Sequence, residues 1–343
     1  MKNQPVLLFA AVAFTFLAWA SAFVVIRGVA PHLDGAALAL GRLLVGTAAL
    51  GVLLALSRRW TTPTRREWLL LTVYGVAWFG AYNVALNYAE HTLDAGTAAM
   101  IVGIGPILIA LGAGVVLGEG VPRWLGIGAA VAFVGVVMIG LGTTLADGAH
   151  PLDLVGAGLA LIAAVTYAVG VIAQKPAMRR LPAIQATFLG CAIGLVVCLP
   201  FAGLLVRDLA VAEPPVWLGV VYLGVVPTAL AFTTWSYALS RMPAGQLGIS
   251  SYVAPPLAIV MGLIAFGEVP TPLALAGGVV CLLGVGLSRR RSRGASRGQA
   301  GAVVPAAADA APPTVAAAEE VADAIGVADE SAAVGRFPDS RAI

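Results

Sequence analysis

The sequence predicts an all-α polytopic membrane protein, with ten transmembrane helices arranged as two inverted five-helix repeats. Composition is the first observation behind this prediction. Of 343 residues, 60% are hydrophobic and only 11% charged, whereas ordinary globular domains carry about 25% charged residues. Mean hydropathy is +0.94. The second observation is a series of ten apolar stretches, each near the roughly 20 residues that a helix needs to cross the hydrocarbon core. The third is an internal repeat, in which residues of unusual type recur at one fixed interval of 149. These features exclude a disordered protein, a nucleic-acid binder and most soluble enzymes. The net charge of +3 is too small to imply an anionic partner. Cys191, Cys198 and Cys281 all lie inside apolar runs, with neither a disulfide framework nor a metal-ligand spacing. No metal, cofactor or nucleic acid is expected.

The spans run over 5–27, 35–56, 68–90, 95–118, 124–142, 153–174, 184–205, 216–239, 245–267 and 272–288. Charge, proline or a polar cluster ends each one, and the connections are too short to hold a soluble domain. The first stretch, with Lys2 ahead of it and small residues at Ala18, Ala20 and Ala22, has some features of a signal peptide. Its apolar run continues through Phe23 to Ile26, longer than the roughly 7–15 residues of a signal h-region, which favours a retained span. After Leu287 come Arg289, Arg290, Arg291, Arg293 and Arg297, then a tail rich in Ala, Pro, Gly, Asp and Glu. Residues 289–343 read as a disordered cytoplasmic tail, because such a composition cannot bury enough apolar surface to fold.

Orientation follows from the distribution of Lys and Arg. With the N-terminus inside, the cytoplasmic segments hold Lys2, Arg58, Arg59, Arg65, Arg66, Arg123, Lys175, Arg179, Arg180, Arg241 and the arginines after span 10. The opposite loops hold only Arg27 and Arg207. Both termini are therefore expected in the cytoplasm, in a multi-pass protein of the cell membrane.

The repeat is read by direct comparison. Tyr88-Ala89 recurs as Tyr237-Ala238, Pro106 as Pro255, Gly118-Glu119 as Gly267-Glu268 and Gly135-Val136 as Gly284-Val285, each 149 residues apart. Residues 1–142 and 143–288 are thus two copies of one unit. Five spans per copy is an odd number, so the second copy enters the membrane from the opposite side. In inverted repeats of this kind the substrate path lies near the midplane, and access alternates as one set of helices rocks against another.

Together these residues resemble the drug/metabolite transporter superfamily, specifically its ten-span EamA-type transporters, over about residues 5–288. The matching features are Trp19-Ala20-Ser21-Ala22-Phe23, Gly41-Arg42, Ala85-Leu86-Asn87-Tyr88-Ala89, Pro106 before Gly118-Glu119, and the second copy, Pro255 before Gly267-Glu268. The resemblance implies a central cavity lined by spans 1, 3, 4, 6, 8 and 9, with spans 5 and 10 peripheral. It also implies substrates that are amino acids, related metabolites or drugs, usually exported.

Candidate site residues come from the polar and aromatic content of the spans. Asn83, Asn87 and Glu90 share one helical face of span 3, and Tyr74, Trp78 and Tyr82 another. Amides facing lipid would be left unpaired, so Asn83, Asn87 and Tyr82 are expected to line a cavity, while Tyr74 fits an interfacial aromatic belt. Trp19, Tyr167, Trp235 and Tyr252 complete a neutral aromatic set suited to an amphipathic solute. Pro106 and Pro255 break paired helices and are candidate gates. Arg42 and Glu90 are candidate charge sites. Arg42 is suited to a carboxylate by its planar fork; the other reading has it snorkel outward or pair with Asp34 or Glu90. Glu90 clusters with His91 and Asp94 at one outer end, outside the middle of the membrane. No Asp or Glu lies in the middle of any span, which favours a facilitator over a carboxylate-driven antiporter. The expected activity is export or facilitated passage of amino acids or similar small metabolites by alternating access; the alternative is proton-coupled multidrug efflux. With the three histidines all in loops, no catalytic constellation is expected. Partners are the lipid bilayer and a small-molecule solute, in a monomer or homodimer.

Overall fold

Apolar side chains on all sides leave the backbone no partner except itself, and in hydrocarbon that selects helix. The computed structural model describes residues 4–90, 101–147, 153–267 and 270–290, and all regular structure among them is helical. In chain order the helices are α1 (Gln4–Val29), α2 (Gly35–Ser57), α3 (Arg65–Ala89), α4 (Gly105–Val116), α5 (Arg123–Asp147) and α6 (Leu154–Ala177). There follow α7 (Ala183–Val211), α8 (Pro214–Leu239), α9 (Ala244–Ala265) and α10 (Pro272–Ser288). Eight are long and apolar enough to cross a membrane, while α4 and α10 are shorter, at 12 and 17 residues. Of the expected tail, residues 291–343 lie outside the described residues.

Helix ends follow their local chemistry. Asp34 caps α2, its carboxylate accepting from the Ala36 and Ala37 amides. Thr64 and Glu67 form a capping box at the start of α3. The same Glu67 accepts from Arg180 Nε (3.0 Å) and Nη2 (2.6 Å), and its negative charge holds the Arg180 guanidinium above its usual pKa. That pair ties the start of α3 to the α6–α7 turn. Gly118 and Gly267, one repeat interval apart, both leave their helices at φ +69°, a conformation that glycine adopts without steric cost. Glu268, the repeat partner of Glu119, lies outside the described residues.

Four interruptions shape the interior. A π-helical segment spans Gly75–Tyr82 in α3 and another spans Gly224–Leu230 in α8, starting 149 residues apart. In α8 the cause is Pro227. It has no N–H to donate to the Leu223 carbonyl, and the Thr228 hydroxyl donates to that carbonyl instead, at 2.7 Å. In α3 the Asn83 amide performs the equivalent task, donating to the carbonyls of Trp78 (3.2 Å) and Phe79 (2.9 Å). The other two interruptions are the expected prolines. Helix α4 starts anew at Gly105-Pro106, and α9 passes through a 3-10 turn at Ser251–Val253 before resuming at Ala254. The breaks meet: Tyr252 Oη donates to the Gly103 carbonyl at 2.5 Å.

Helices α5 and α10 pack backbone to backbone. A Cβ built on Gly135 would stand 2.6 Å from the Gly277 carbonyl oxygen, and one on Gly277 would stand 2.6 Å from that of Gly135. Gly128 meets Gly284 in the same way, at 2.6 Å. As numbering rises along α5 it falls along α10, so the two helices are antiparallel. The Cys281 thiol donates across this seam to the Ala132 carbonyl at 3.2 Å.

Candidate solute site

Rings from α1, α3, α6 and α8 converge on one cluster. Trp19 lies 5.1 Å from Trp235 and 5.5 Å from Phe232 between ring centres. Trp78 packs 4.9 Å from both Tyr167 and Phe232, and Tyr82 lies 5.9 Å from Tyr167. Most pairs are tilted or edge-on, the arrangement that the ring quadrupole favours. Trp19 and Tyr82 keep partial exposure, whereas Trp78, Tyr167 and Trp235 are buried.

Below the rings lies a fully buried polar hub. Gln174 Nε2 donates to Tyr74 Oη (3.0 Å) and Ser236 Oγ (2.7 Å), and Gln174 Oε1 accepts from Trp235 Nε1 (3.3 Å). Ser236 in turn shares a hydrogen bond of 2.7 Å with Thr187, so one amide joins α3, α6, α7 and α8. Next in sequence, Lys175 pairs with Glu119 and donates to the Met242 carbonyl at 2.7 Å. Glu119 also accepts from the Gly245 amide at 3.3 Å. These contacts clasp the ends of α4, α6 and α8 to the start of α9.

Four of the predicted residues, Trp19, Tyr82, Tyr167 and Trp235, share the cluster. Trp19 donates its indole N–H to the Pro227 carbonyl at 3.2 Å, within the α8 π segment. Asn83 is buried beside it, while Asn87 lies elsewhere, donating to the Gly35 carbonyl at 2.5 Å and so joining α3 to α2. Tyr252, Pro106 and Pro255 sit at the crossing of the two helix breaks, and Gly105 abuts Tyr167, 2.7 Å from a Cβ built there to the ring. The side chain of Glu90, with His91 and Asp94, lies outside the described residues.

Two expectations are corrected. Tyr74 is not part of an interfacial belt: it has no exposure and belongs to the polar hub. It still meets Trp78, the next residue of the stripe, at 5.9 Å between ring centres, so this face turns into the bundle and not to its rim. Arg42 does not pair with Asp34, whose carboxylate caps α2. Instead it turns inward, donating through Nε (3.2 Å) and Nη2 (3.1 Å) to Thr228 and through Nη1 (3.5 Å) to Asn83. Span 2, which the resemblance leaves out of the cavity wall, therefore supplies a side chain to the centre. Sequence reasoning passed over Phe16, Phe79, Phe232 and the π segments; Pro227 inside an apolar run was the visible signal for one of them.

An all-helical, multi-pass membrane protein with broken helices around an aromatic centre is the class that this fold defines. The model of the EamA-like transporter family matches the chain twice, at residues 5–141 and 154–290, with the two matches again offset by 149. The chain belongs to that family and is a transmembrane transporter. It is 35% identical over 294 residues to a "Probable terminal-alkyne amino-acid exporter" of Streptantibioticus cattleyicolor, covering 84% of this chain and 95% of that protein. It is 28% identical over 240 residues to the threonine/homoserine exporter RhtA of Escherichia coli K12, covering 68% and 75% respectively. A solved crystal structure superposes with a TM-score of 0.67 at 21% identity, over 82% of this chain and 95% of that one, a likeness of fold alone.

Proposed function

We propose that this protein exports, or facilitates the passage of, amino acids or similar small metabolites across the cell membrane by alternating access. The observation that carries this reading is the convergence of aromatic rings with amide and hydroxyl groups at interrupted helices. Rings take up an apolar side chain, and the few polar groups orient the rest. The antiparallel α5–α10 seam, with its mutually exchanged glycine contacts, supports ten spans in two inverted repeats. With both termini in the cytoplasm, the Lys175–Glu119 clasp and the Gln174 hub close the cytoplasmic side in this conformation. The crossing at Gly103 and Tyr252 serves as the hinge, with Pro106 and Pro255 setting its two arms. The exporters named among its relatives support the substrate class.

Among the described residues, the groups meeting at the centre are aromatic, amide, hydroxyl and guanidinium, which supports a facilitator over a carboxylate-driven antiporter. The test is counterflow in proteoliposomes preloaded with mixed unlabelled amino acids, with labelled amino acids outside, repeated under an imposed pH gradient. Uptake indifferent to the gradient is the expected result. Uptake driven only by the gradient would keep the substrate class and overturn the facilitator; no exchange by folded protein would overturn the substrate class.

A further inference from the structure

Arg42 is a guanidinium placed in the interior of an apolar helix, seven residues after its start at Gly35. That is about 10 Å along the axis at 1.5 Å per residue. A charge at such depth is costly unless it is partnered. Its hydrogen-bond partners are neutral: the Thr228 hydroxyl takes Nε and Nη2, and the Asn83 side-chain oxygen takes Nη1 at 3.5 Å. Among the described residues no carboxylate pairs with it. The three bonds use three of its five N–H groups. One N–H on Nη1 and one on Nη2 remain, the end of the fork that receives a carboxylate through two parallel hydrogen bonds. The residue as a whole keeps partial exposure.

Its supports are themselves built. Thr228 sits in the α8 π segment, oriented by its own bond to the Leu223 carbonyl at 2.7 Å. Asn83 follows the α3 π segment, oriented by its bonds to the carbonyls of Trp78 and Phe79. The irregular turns of both halves thus converge on one side chain, and both supports offer it oxygen lone pairs. Such a frame holds a guanidinium in place without neutralising it.

We infer that Arg42 receives the carboxylate of the transported solute, with Thr228 and Asn83 as positioning residues and the neighbouring rings taking the solute's apolar part. The substrate class this defines is an amphipathic monocarboxylate, an α-amino acid included. The inference rests on the transport reading above and narrows it to one contact.

The test compares each labelled acid with the primary amide, which replaces its carboxylate by an uncharged group of the same shape and keeps the amino group. Counterflow of labelled L-leucine, L-threonine and L-phenylalanine is competed with the unlabelled acid or its primary amide, in wild-type protein and in Arg42→Gln and Arg42→Lys. Wild type should prefer the acid over the amide by about tenfold to a hundredfold, the range for a charge-assisted pair. In Arg42→Gln that ratio should fall to near one while melting in detergent stays close to wild type. Arg42→Lys, which keeps the charge and loses the fork, should fall between. A wild type that takes acid and amide equally overturns the inference without needing any variant, and leaves amino-acid transport standing. So does an unchanged acid-to-amide ratio in a folded Arg42→Gln. Absence of counterflow for every amino acid in folded wild type overturns both the transport reading and this contact.

Discussion

The α5–α10 seam and the aromatic centre are both buried helix junctions, yet they are made of opposite materials. The seam is glycine against glycine, with backbone carbonyls 2.6 Å from where a Cβ would stand. The centre is ring against ring at 4.5–6.5 Å between centroids, with polar groups threaded among them. Lipid is as apolar as leucine, so helices in a membrane associate through close fit and hydrogen bonds. The seam relies on close fit, with the Cys281 thiol bonded across it, and leaves no room at its glycines. The centre relies on side chains that can turn, and on π and proline breaks whose backbone groups are satisfied by side chains. In the proposed transport cycle one junction serves as a frame and the other as a moving part.

That contrast can be broken experimentally. Gly135→Leu should be the most damaging change, destabilising by about 3 kcal/mol or more, because its new atoms meet the backbone of α10 and no rotamer avoids them. Thermal melting in detergent reads this directly; a wild-type melting temperature would mean that the seam is looser than its geometry. Gln174→Leu should cost about 2 kcal/mol, since the Tyr74 and Trp235 partners and Ser236 lose a buried hydrogen-bonding group together. Equal losses in Gln174→Leu and Gly135→Leu would erase the distinction between frame and moving part.

Smaller effects sharpen it. Lys175→Met should change stability by less than about 1 kcal/mol, as expected for a partly exposed pair. It should nonetheless speed maleimide labelling of Ala244→Cys severalfold. Ala244 is fully buried beside this clasp, and the three native cysteines are buried, so the label reports the introduced thiol. Unchanged labelling would remove the clasp from the gate. Gly286→Ala is the smallest, neutral or slightly stabilising, because nothing stands within 4 Å of the added carbon and alanine favours helix over glycine.

Much of the centre was legible. Trp19, Tyr82, Tyr167 and Trp235 stood out as large amphipathic rings inside lipid-soluble stretches, and they do meet. Pro106 and Pro255 announced helix breaks because a proline cannot donate the bond that a helix needs. Asn87 stays on the regular helix that follows the π segment, and only the structure gave its amide a partner, the Gly35 carbonyl. Tyr74 keeps its place beside Trp78, but the spacing of a stripe does not tell a ring that faces the bundle from one that faces the membrane interface. Arg42 drew attention at once as a charge in a span, but only its contacts with Thr228 and Asn83 gave it a direction.

By itself the sequence determined that this chain is helical, enters a membrane many times and carries one unit twice. Those properties follow from composition and from an interval along the chain, which need no knowledge of what touches what. Which helices meet was decided only by the tertiary structure. In an almost uniformly apolar chain every helix face looks alike to water, and partners are chosen by the shape of glycine gaps, the fit of rings and the satisfaction of a few polar groups. The pairing of Gly135 with Gly277, the Gln174 hub and the inward turn of Arg42 are decisions of that kind.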